Sequence, residues 1–379
     1  MRITNVECFP VWGGFRNYLF VAVDTDEGIS GIGEAGLTGR ELAVVGAIDH
    51  FKPLLIGQDP GRIEHLWQTL SRGGFFPAEG AVAAALSAVD IALWDIKGKA
   101  LGVSVYELLG GRVRDKVICY PHNVGRSDDV ASLVASCLET KEAGWKFVRW
   151  GLPEANDILE PLVAIRGAIQ QFEAIRTAVG EEIELVFDVH TRLDLPDALR
   201  LCRAAEPYRP YFIEDPLRAE NPDAFKMLRP RTSVPLAAGE QFTSKWQFRR
   251  LIEDEWIDYA RIDLCLVGGI TEAKKIAGWC ETHYIKLAVH NPLGPISSAA
   301  CLHLNLACSN FGVQEQPRRP GELLPDVVPV QPSWEDGYLL PPTTPGLGVE
   351  FDREAARGHP FQLIEPPHLR RIDGSFTNW

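Results

Sequence analysis

The pattern of hydrophobic and polar positions changes near residue 115. Before it, the alternating runs Tyr18 to Val23 and Ile29 to Gly33 flank a turn that ends in Gly28, which is typical of a β-hairpin. The segment from Ala81 to Leu101 is apolar on nearly every side of a helix and is therefore predicted to be buried. Residues 1–115 are thus predicted to form a small α+β domain.

From residue 116 onward, short β-type runs alternate with helical stretches such as Asp194 to Ala205 and Thr271 to Thr282. Alternation of this kind indicates parallel βαβ units, and eight runs within about 200 residues favour a closed (β/α) barrel over an open sheet. The runs end at Tyr120, Trp150, Asp188, Glu214, Glu240, Asp263, His290 and Glu315. We predict an α/β protein with a barrel over residues 116–320. The Pro- and Gly-rich residues 321–379 are predicted to wrap back over the surface.

Six of the run ends carry an ionisable side chain, and these recur at nearly one interval. Asp188, Glu214, Glu240, Asp263, His290 and Glu315 are separated by 26, 26, 23, 27 and 25 residues. Each step is close to one βα repeat. Because barrel active sites lie at the C-terminal ends of the strands, the six side chains are predicted to converge on one pocket. A single acid at a strand end is usually a helix N-cap or a surface charge, but that interpretation does not account for the regular spacing.

Three successive carboxylates, Asp188, Glu214 and Glu240, would repel one another without a counter-charge. A hard divalent cation removes that repulsion, and carboxylate ligands without thiolates favour Mg²⁺ over zinc, with Mn²⁺ as an alternative. The competing interpretation is an ion-pair network with Arg or Lys. It is disfavoured because the segments FDVH, FIEDP and LAAGE have no basic residue next to the acids.

Two histidines are candidates for acid–base chemistry. His190 follows Asp188 by two residues, so both side chains would point into one pocket if the strand continues that far. Asp263 and His290 end consecutive strands, which makes a hydrogen bond between them geometrically reasonable. Such a bond fixes the imidazole tautomer and raises the basicity of the other ring nitrogen, so that His290 is a candidate general base.

Composition excludes several classes of protein. The 38 Lys and Arg against 51 Asp and Glu give a net charge of −13, which argues against nucleic-acid binding because that depends on basic side chains. The most apolar stretch, Ala81 to Trp94, is interrupted by Asp90 and is shorter than the roughly 20 residues that span a bilayer. The N-terminus lacks the pattern of a signal peptide, and the eight cysteines form no C-x-x-C pair. A cytoplasmic protein with reduced thiols and no membrane contact is predicted.

The motifs at these positions resemble the enolase superfamily, mandelate racemase subgroup, and within it the acid-sugar dehydratases of the D-galactonate type. The resemblance covers almost the whole chain through TDEGISGIGEAG, ALWDIKGKALGVSVYELLGG, FDVH, PYFIEDP, PLAAGEQF, VGGITEAKKIA and VHNPLGPISSAACLHL. The C-terminal PGLGVEFD and IDGSFTNW are more similar to the mannonate dehydratases of the same subgroup. The family implies an α+β capping domain over a modified (β/α)7β barrel. It also implies a C-terminal segment that returns to the cap, and a homo-oligomer.

The resemblance further implies a role for each residue. Three residues would bind Mg²⁺, namely Asp188, Glu214 and Glu240. The pair Asp263 and His290 would abstract a proton next to a carboxylate, and His190 would protonate the leaving hydroxyl. Glu315, expected in its protonated form, would donate a hydrogen bond to the substrate carboxylate or enolate oxygen. The product would be a 2-keto-3-deoxy acid.

The second barrel strand departs from the racemases of the subgroup. They carry a K-x-K pair there, whose second Lys is the base on the opposite face, whereas this chain reads Arg149-Trp150-Gly151. Mannonate dehydratases have an Arg on this strand and a Tyr after it, but no tyrosine lies between Arg149 and Asp188. With His290 as the only evident base, a substrate of 2R configuration such as D-galactonate or D-gluconate is favoured. D-mannonate or another acid sugar is the alternative.

Substrate contacts are predicted in the capping loops and on the second strand. The candidates are Arg16, Asn17, Phe75, Arg149 and Trp150. Arg16 and Asn17 would bind distal hydroxyls, while Phe75 and Phe76 would exclude water. Packing at the domain interface is an equally good interpretation of these loop aromatics.

Two other functions stay open. A metal-dependent hydrolase barrel is expected to carry an H-x-H motif on its first strand, which this chain lacks. A barrel that has lost its activity would serve as a binding protein. The complete set of six strand-end residues argues against that loss, although a cap that no longer admits substrate would leave the set in place.

Overall fold

The computed structural model describes residues 1–122, 129–154, 157–365 and 368–377. The chain begins with an antiparallel sheet in which β2 lies between β1 and β3. Its strands are β1 (Ile3–Trp12), β2 (Asn17–Thr25) and β3 (Ser30–Ala35). The predicted hairpin is therefore confirmed as β2–β3. The sequence pattern did not reveal β1, because its buried residues Ile3, Val6 and Phe9 recur every three residues instead of every two.

Four helices follow, and the third packs directly on the sheet. They are α1 (Glu41–Leu55), α2 (Ile63–Arg72), α3 (Ala81–Leu101) and α4 (Val105–Leu108). Every residue from 83 to 93 of α3 is buried, which confirms the predicted buried helix. Gly33 on β3 permits this packing, because a Cβ at that position would lie 1.9 Å from the carbonyl oxygen of Ala88.

In the described residues, the second sheet has ten strands, and eight of them are parallel. They are β4 (Val117–Pro121), β5 (Phe147–Gly151), β6 (Glu184–Asp188), β7 (Phe212–Glu214), β8 (Leu236–Ala238), β9 (Tyr259–Ala260), β10 (Lys286–Val289) and β11 (Phe311–Gln316). Strands β5 to β11 pair in chain order and β11 pairs with β4. Because β4 also contacts β5, the sheet curls round on itself. The predicted (β/α)7β barrel is confirmed.

One helical connection lies between each pair of consecutive barrel strands. The helices are α5 (Val130–Glu142), α6 (Pro161–Val179), α7 (Leu195–Ala205), α8 (Phe225–Leu228), α9 (Lys245–Glu253), α10 (Gly269–Thr282) and α11 (Pro295–Ala307). The barrel interior is filled by one cluster of side chains: Tyr120, Phe147, Val186, Phe212, Ala237, Tyr259, Ala288 and Val313. Since strand side chains alternate, residues two positions beyond these also face inward while the strand continues.

The C-terminal segment contacts both sheets. Strand β13 (Tyr338–Leu339), paired with β12 (Trp334–Glu335), lies antiparallel to β4. Arg353, at the start of α12 (Arg353–Arg357), donates Nη1 to Oδ2 of Asp24 on β2 at 3.1 Å. The last two residues of the IDGSFTNW motif lie outside the described residues. All eight cysteines are free thiols.

Among the residues that the structure describes, none of the helices combines the length and apolar character needed to span a bilayer.

Candidate active site

The six predicted strand-end residues meet at the C-terminal end of the barrel. Asp188 and Glu214 are the last residues of β6 and β7, and His290 directly follows β10. The remaining three lie on or just after their strands: Glu240, Asp263 and Glu315. All five acids are buried, and direct contacts through two arginines and His290 connect the whole set.

Arg149 on β5 is the first of these arginines. It donates Nη2 to Oδ2 of Asp188 at 2.7 Å and Nε to Oε1 of Glu214 at 2.6 Å. Its Nη1 contacts the carbonyl oxygen of His122 and lies 4.0 Å from Oε1 of Glu315. Arg149 was predicted as a substrate contact, and the structure places it between the acids.

Arg261, just after β9, is the second arginine and is fully buried. Its Nη2 lies 3.1 Å from Oε2 of Glu240 and 3.0 Å from Oε2 of Glu315, and its Nη1 lies 3.2 Å from Oε2 of Glu214. The sequence-based rejection of an ion-pair network is therefore wrong. The arginines do not neighbour the acids in sequence, but adjacent strands bring them together in the barrel.

Burial and the arginines set the charge of the acids. Burial raises the pKa of Glu214 to about 7, although Arg149 and Arg261 oppose the rise. Burial likewise raises the pKa of Asp188, although the positive charge of Arg149 acts to lower it. Burial acts to raise the pKa of Glu240, but the effects of His290 and Arg261 are larger and hold the pKa below its usual range.

The prediction that Glu315 is protonated is wrong. Burial alone would raise its pKa, but Arg261, Arg149 and His122 together hold the pKa well below the usual range. Oε2 of Glu315 accepts hydrogen bonds from Arg261 and from the backbone N–H of Asn291 at 3.0 Å. Oε1 contacts Nδ1 of His122. Glu315 is therefore an ionised acceptor in this structure.

Asp263 and His290 form the predicted hydrogen bond. Nδ1 of His290 lies 2.8 Å from Oδ2 of Asp263, and the backbone N–H of His290 donates to the carbonyl of Ile262 at 3.1 Å. Nε2 lies 3.5 Å from Oε2 of Glu240. Burial lowers the pKa of His290, but Glu240 and Asp263 outweigh it, so that the pKa is raised. A carboxylate on Nδ1 leaves Nε2 as the nitrogen that can take a proton from the pocket.

His190 lies near the same acids, but not for the predicted reason. β6 ends at Asp188, and His190 has a left-handed φ of 54°, so strand alternation does not extend to it. Its backbone N–H donates to Oδ1 of Asp188 at 2.7 Å. Burial lowers the pKa of His190 to about 3, against the effect of Glu240. The imidazole is therefore neutral at pH 7 in this structure.

Two family profiles match this chain over most of its length. Residues 132–355 match the enolase C-terminal domain-like family, and residues 14–110 match the N-terminal domain of the mandelate racemase/muconate lactonizing enzymes. The chain belongs to the enolase superfamily.

Relatives of known name and structure match 96–100% of this chain. A D-galactonate dehydratase of Ralstonia nicotianae is 39% identical, with 100% of this chain and 99% of the relative covered. A D-mannonate dehydratase of Caulobacter sp. is 38% identical, with 96% of each covered. The crystal structure of an enolase from Pantoea ananatis with bound D-gluconate and Mg superposes with a TM-score of 0.93 at 34% identity, covering 100% of this chain and 99% of that one.

This enolase-superfamily site contains residues that the sequence analysis missed as functional. Arg261 and His122 were not considered, and Tyr120 was noted only as a run end. The hydroxyl of Tyr120 contacts Arg261 and lies 3.3 Å from Oε2 of Glu214. Strand alternation was the signal that could have found them. Arg261 follows inward-facing Tyr259 by two residues, and His122 follows inward-facing Tyr120 by two. Both lie one residue beyond their strands, but hydrogen bonds to the neighbouring strands extend to them: the N–H of Arg261 donates to the carbonyl of Ala238 at 2.9 Å, and that of His122 to the carbonyl of Gln316 at 3.2 Å.

The same alternation shows that the prediction for Trp150 as a substrate contact is wrong. Because Phe147 and Arg149 face into the barrel, Trp150 faces the helix layer. Its ring packs 4.8 Å from that of Phe172 on α6 and 5.4 Å from that of Phe187.

The three capping-loop residues that were predicted to contact substrate have different surroundings. Arg16 donates Nη1 to the carbonyl of Pro292, two residues after His290, at 3.1 Å. The side-chain amide of Asn17 is buried and bonds the backbone of Gln362 through both its oxygen and its nitrogen. Phe75 is 95% exposed and meets the ring of Phe76 edge-on. Substrate binding by these residues stays a prediction.

Proposed function

We propose that this protein is a Mg²⁺-dependent hydro-lyase that removes water from an aldonate, D-galactonate or D-gluconate, to give the 2-keto-3-deoxy acid. The observation that carries the proposal is the hydrogen bond between Asp263 and Nδ1 of His290, with Nε2 of the same ring 3.5 Å from Oε2 of Glu240. The names of the D-galactonate dehydratases and the D-gluconate and Mg bound to the Pantoea enolase support the substrate class.

Asp188, Glu214 and Glu240 would hold the cation. In the structure, each of these carboxylates contacts an arginine: Asp188 and Glu214 contact Arg149, and Glu240 contacts Arg261. The donor set nevertheless fits a hard cation. It offers three buried carboxylates without a thiolate, and Glu214 shares Arg149 with Asp188 and Arg261 with Glu240. When bound, Mg²⁺ supplies a Lewis acid for the substrate carboxylate.

The residues of the chain would carry the proton transfers. Nε2 of His290 takes the proton from C2, and the electron pair of the broken C–H bond moves toward the carboxylate of the substrate. Asp263 holds Nδ1 protonated and stabilises the imidazolium that forms. His190 gives a proton to the C3 hydroxyl, which leaves as water when the C3–O bond breaks. The enol then tautomerises to the ketone.

The acid role of His190 requires a change of its pKa. At about 3, the pKa leaves the imidazole neutral at pH 7. The negative charge of a bound substrate acts to raise the pKa of the imidazole, whereas a cation held by Asp188 and Glu240 acts to lower it. The acid role therefore requires the substrate charge closest to His190 to have the larger effect. Because Glu315 is an ionised acceptor, we assign it the positioning of Arg261 rather than donation to substrate.

D-Mannonate is the second candidate substrate. The 38% identity to a D-mannonate dehydratase and the presence of Arg149 favour it. The lack of a tyrosine between Arg149 and Asp188 argues against it, as does a single base suited to the 2R configuration. Cytoplasmic location and homo-oligomeric assembly also stay predictions.

A panel of aldonic and aldaric acids tests the proposal. The protein is incubated with Mg²⁺ and each acid, and 2-keto-3-deoxy products are detected with a carbonyl reagent. We expect product from D-galactonate or D-gluconate, less from D-mannonate, and none with His290→Asn. D-Gluconate and D-mannonate differ only at C2, so their comparison isolates the face from which the proton is removed. Absence of product from every acid would overturn the proposal.

A further inference from the structure

The helices that follow Asp263 and His290 both begin without a side-chain cap of their own. The N-cap residue of α10 is Gly268 and that of α11 is Gly294, and neither glycine offers a side-chain acceptor. The first N–H groups of a helix have no partner within the helix and need an acceptor when they are buried.

Buried carboxylates from the N-terminal region supply both acceptors. Glu34 on β3 accepts the N–H of Gly294 on Oε1 at 2.6 Å and that of Ser297 on Oε2 at 2.9 Å. Asp90 on α3 accepts the N–H of Thr271 on Oδ2 at 3.0 Å. The two caps therefore reach from one domain into the other.

A glycine lies next to each of these carboxylates, at a position where a side chain would clash with it. A Cβ on Gly294 would lie 2.7 Å from Oε1 of Glu34, and a Cβ on Gly269 would lie 2.2 Å from Oδ2 of Asp90. Gly294 has an ordinary extended φ of −92°, which any residue can adopt. The close approach of Glu34 is thus the reason that this position suits glycine.

Glu34 holds one end of the short loop that begins at His290. Further contacts on this loop include Arg16, which donates to Pro292, and Glu315, which accepts from Asn291. On the neighbouring loop, the N–H of Gly36 donates to the carbonyl of Cys265, two residues after Asp263, at 2.8 Å. The strand β3 and the residue that follows it therefore touch both loops that carry the base pair.

Keeping Glu34 in this position is costly for the fold. Burial raises the pKa of Glu34 to about 8, and the N–H groups of Ser297 and Gly294 oppose that rise. Burial of a carboxyl group costs free energy unless hydrogen bonds compensate for it, and the N–H groups of Gly294 and Ser297 supply such bonds.

We propose that Glu34 is a positioning residue for proton abstraction: by capping α11 from β3, it fixes the loop that holds His290 against Asp263. The proposal rests on the proposed dehydratase function, because its consequence is measured at the C2 proton. Misplacement of a base by about 1 Å can slow a reaction about a hundredfold.

Two variants test it from opposite sides of the contact. Glu34→Gln keeps the shape but replaces one of the two accepting oxygens by an amide nitrogen, which cannot accept an N–H whether Glu34 is protonated or ionised. Gly294→Ala pushes a methyl group against Oε1. We expect each to lower kcat on the active aldonate by about tenfold to a hundredfold with KM changed by less than about threefold. The kinetic isotope effect for 2-deuterated substrate should increase. The double variant should be no slower than the slower single variant, because both changes disrupt one contact.

Asp95→Asn is the matched control. Asp95 on α3 is also a buried carboxylate that accepts backbone N–H groups, from Ile32 and Leu347, and it pairs with Lys99 at 2.7 Å. These three partners lie outside the loops that follow Asp263 and His290. This variant should lose stability while keeping the wild-type isotope effect. A wild-type kcat in Glu34→Gln, or additive losses in the double variant, would overturn the positioning role.

Hydrogen exchange separates this proposal from the proposed function. Glu34→Gln should speed amide exchange in residues 290–298, whereas Asp95→Asn should not. If the wild-type protein dehydrates no acid, the proposed function fails, and unchanged exchange in this loop would still refute the positioning by Glu34.

Discussion

Nη2 of Arg149 lies 2.7 Å from Oδ2 of Asp188, at the centre of the carboxylates that were predicted to bind a cation. Arg261 makes the equivalent contact with Glu240 at 3.1 Å. The two guanidinium groups place positive charge next to these buried acids. A cation at the same oxygens must compete with the arginines, so metal binding and the arginine contacts are energetically coupled.

Replacing Arg149 should make the stability of the protein dependent on Mg²⁺. Arg149→Met leaves Asp188 and Glu214 buried with less compensating charge, and removal of one partner from a buried pair costs about 3 kcal/mol or more. We expect that loss in unfolding free energy in EDTA, with a larger recovery on adding Mg²⁺ than the wild-type protein shows. Chemical unfolding with and without Mg²⁺ measures both.

Arg200→Met is the control for this experiment. Arg200 pairs with Asp197 on α7 and is 55% exposed, so its removal should change stability by less than about 1 kcal/mol with or without Mg²⁺. Equal recovery of Arg149→Met and wild-type protein by Mg²⁺ would show that the acids next to Arg149 do not hold the cation.

The two histidines should separate proton abstraction from loss of water. His290→Asn removes the base, so that both C2 proton exchange in deuterated solvent and dehydration should fall by at least about a hundredfold. His190→Asn should keep exchange while dehydration is lost, because C2–H cleavage does not need the acid. NMR of the substrate follows exchange, and the carbonyl assay follows product. The reverse pattern would exchange the roles of the two residues.

The sequence predicted where the site residues lie better than it predicted which residues they contact. Parallel strands end on one side of a barrel, so the regular spacing from Asp188 to Glu315 was enough to bring those residues together. The partner of a buried charge depends on side-chain positions in three dimensions. Arg261 meets Glu315 across 54 positions and Glu34 meets Gly294 across 260, separations at which a local pattern carries no information. Trp150 was wrongly predicted to contact substrate, because the sequence alone did not show which residues of β5 face the barrel interior.

The packing of α3 on β3 should distinguish two glycines. A Cβ on Gly33 would lie 1.9 Å from the carbonyl oxygen of Ala88, whereas a Cβ on Gly46, exposed within α1, would meet nothing within 4 Å. Gly33→Ala should therefore reduce the unfolding free energy by about 2–3 kcal/mol, because the backbone of β3 or α3 must shift to make room for the methyl group. Gly46→Ala should raise it by about 0.5–1 kcal/mol through helix propensity. Destabilisation by both changes would mean that α1 does not tolerate a side chain where the structure leaves space.

The ion pair between Asp24 and Arg353 should give a pH-dependent contribution to stability, and it tests the attachment of the C-terminal segment to β2. A hydrogen bond from Arg353 is the largest cause that lowers the pKa of Asp24 to about 2. A carboxyl whose pKa is lower in the folded state stabilises the fold above its unfolded pKa, about 3.9, and loses that effect as the pH falls through the folded value. Because both side chains are partly exposed, we expect Asp24→Asn to cost only about 1 kcal/mol at pH 7. The difference from wild type should be constant from pH 7 to pH 5 and shrink between pH 4 and pH 2, as measured by urea unfolding at each pH.

Asp115→Asn is the control. It alters a 92% exposed side chain 3.6 Å from Arg112 and should show almost no difference in unfolding free energy from wild type at any pH. A cost for Asp24→Asn that stays the same at pH 3 would assign the loss to packing instead of charge.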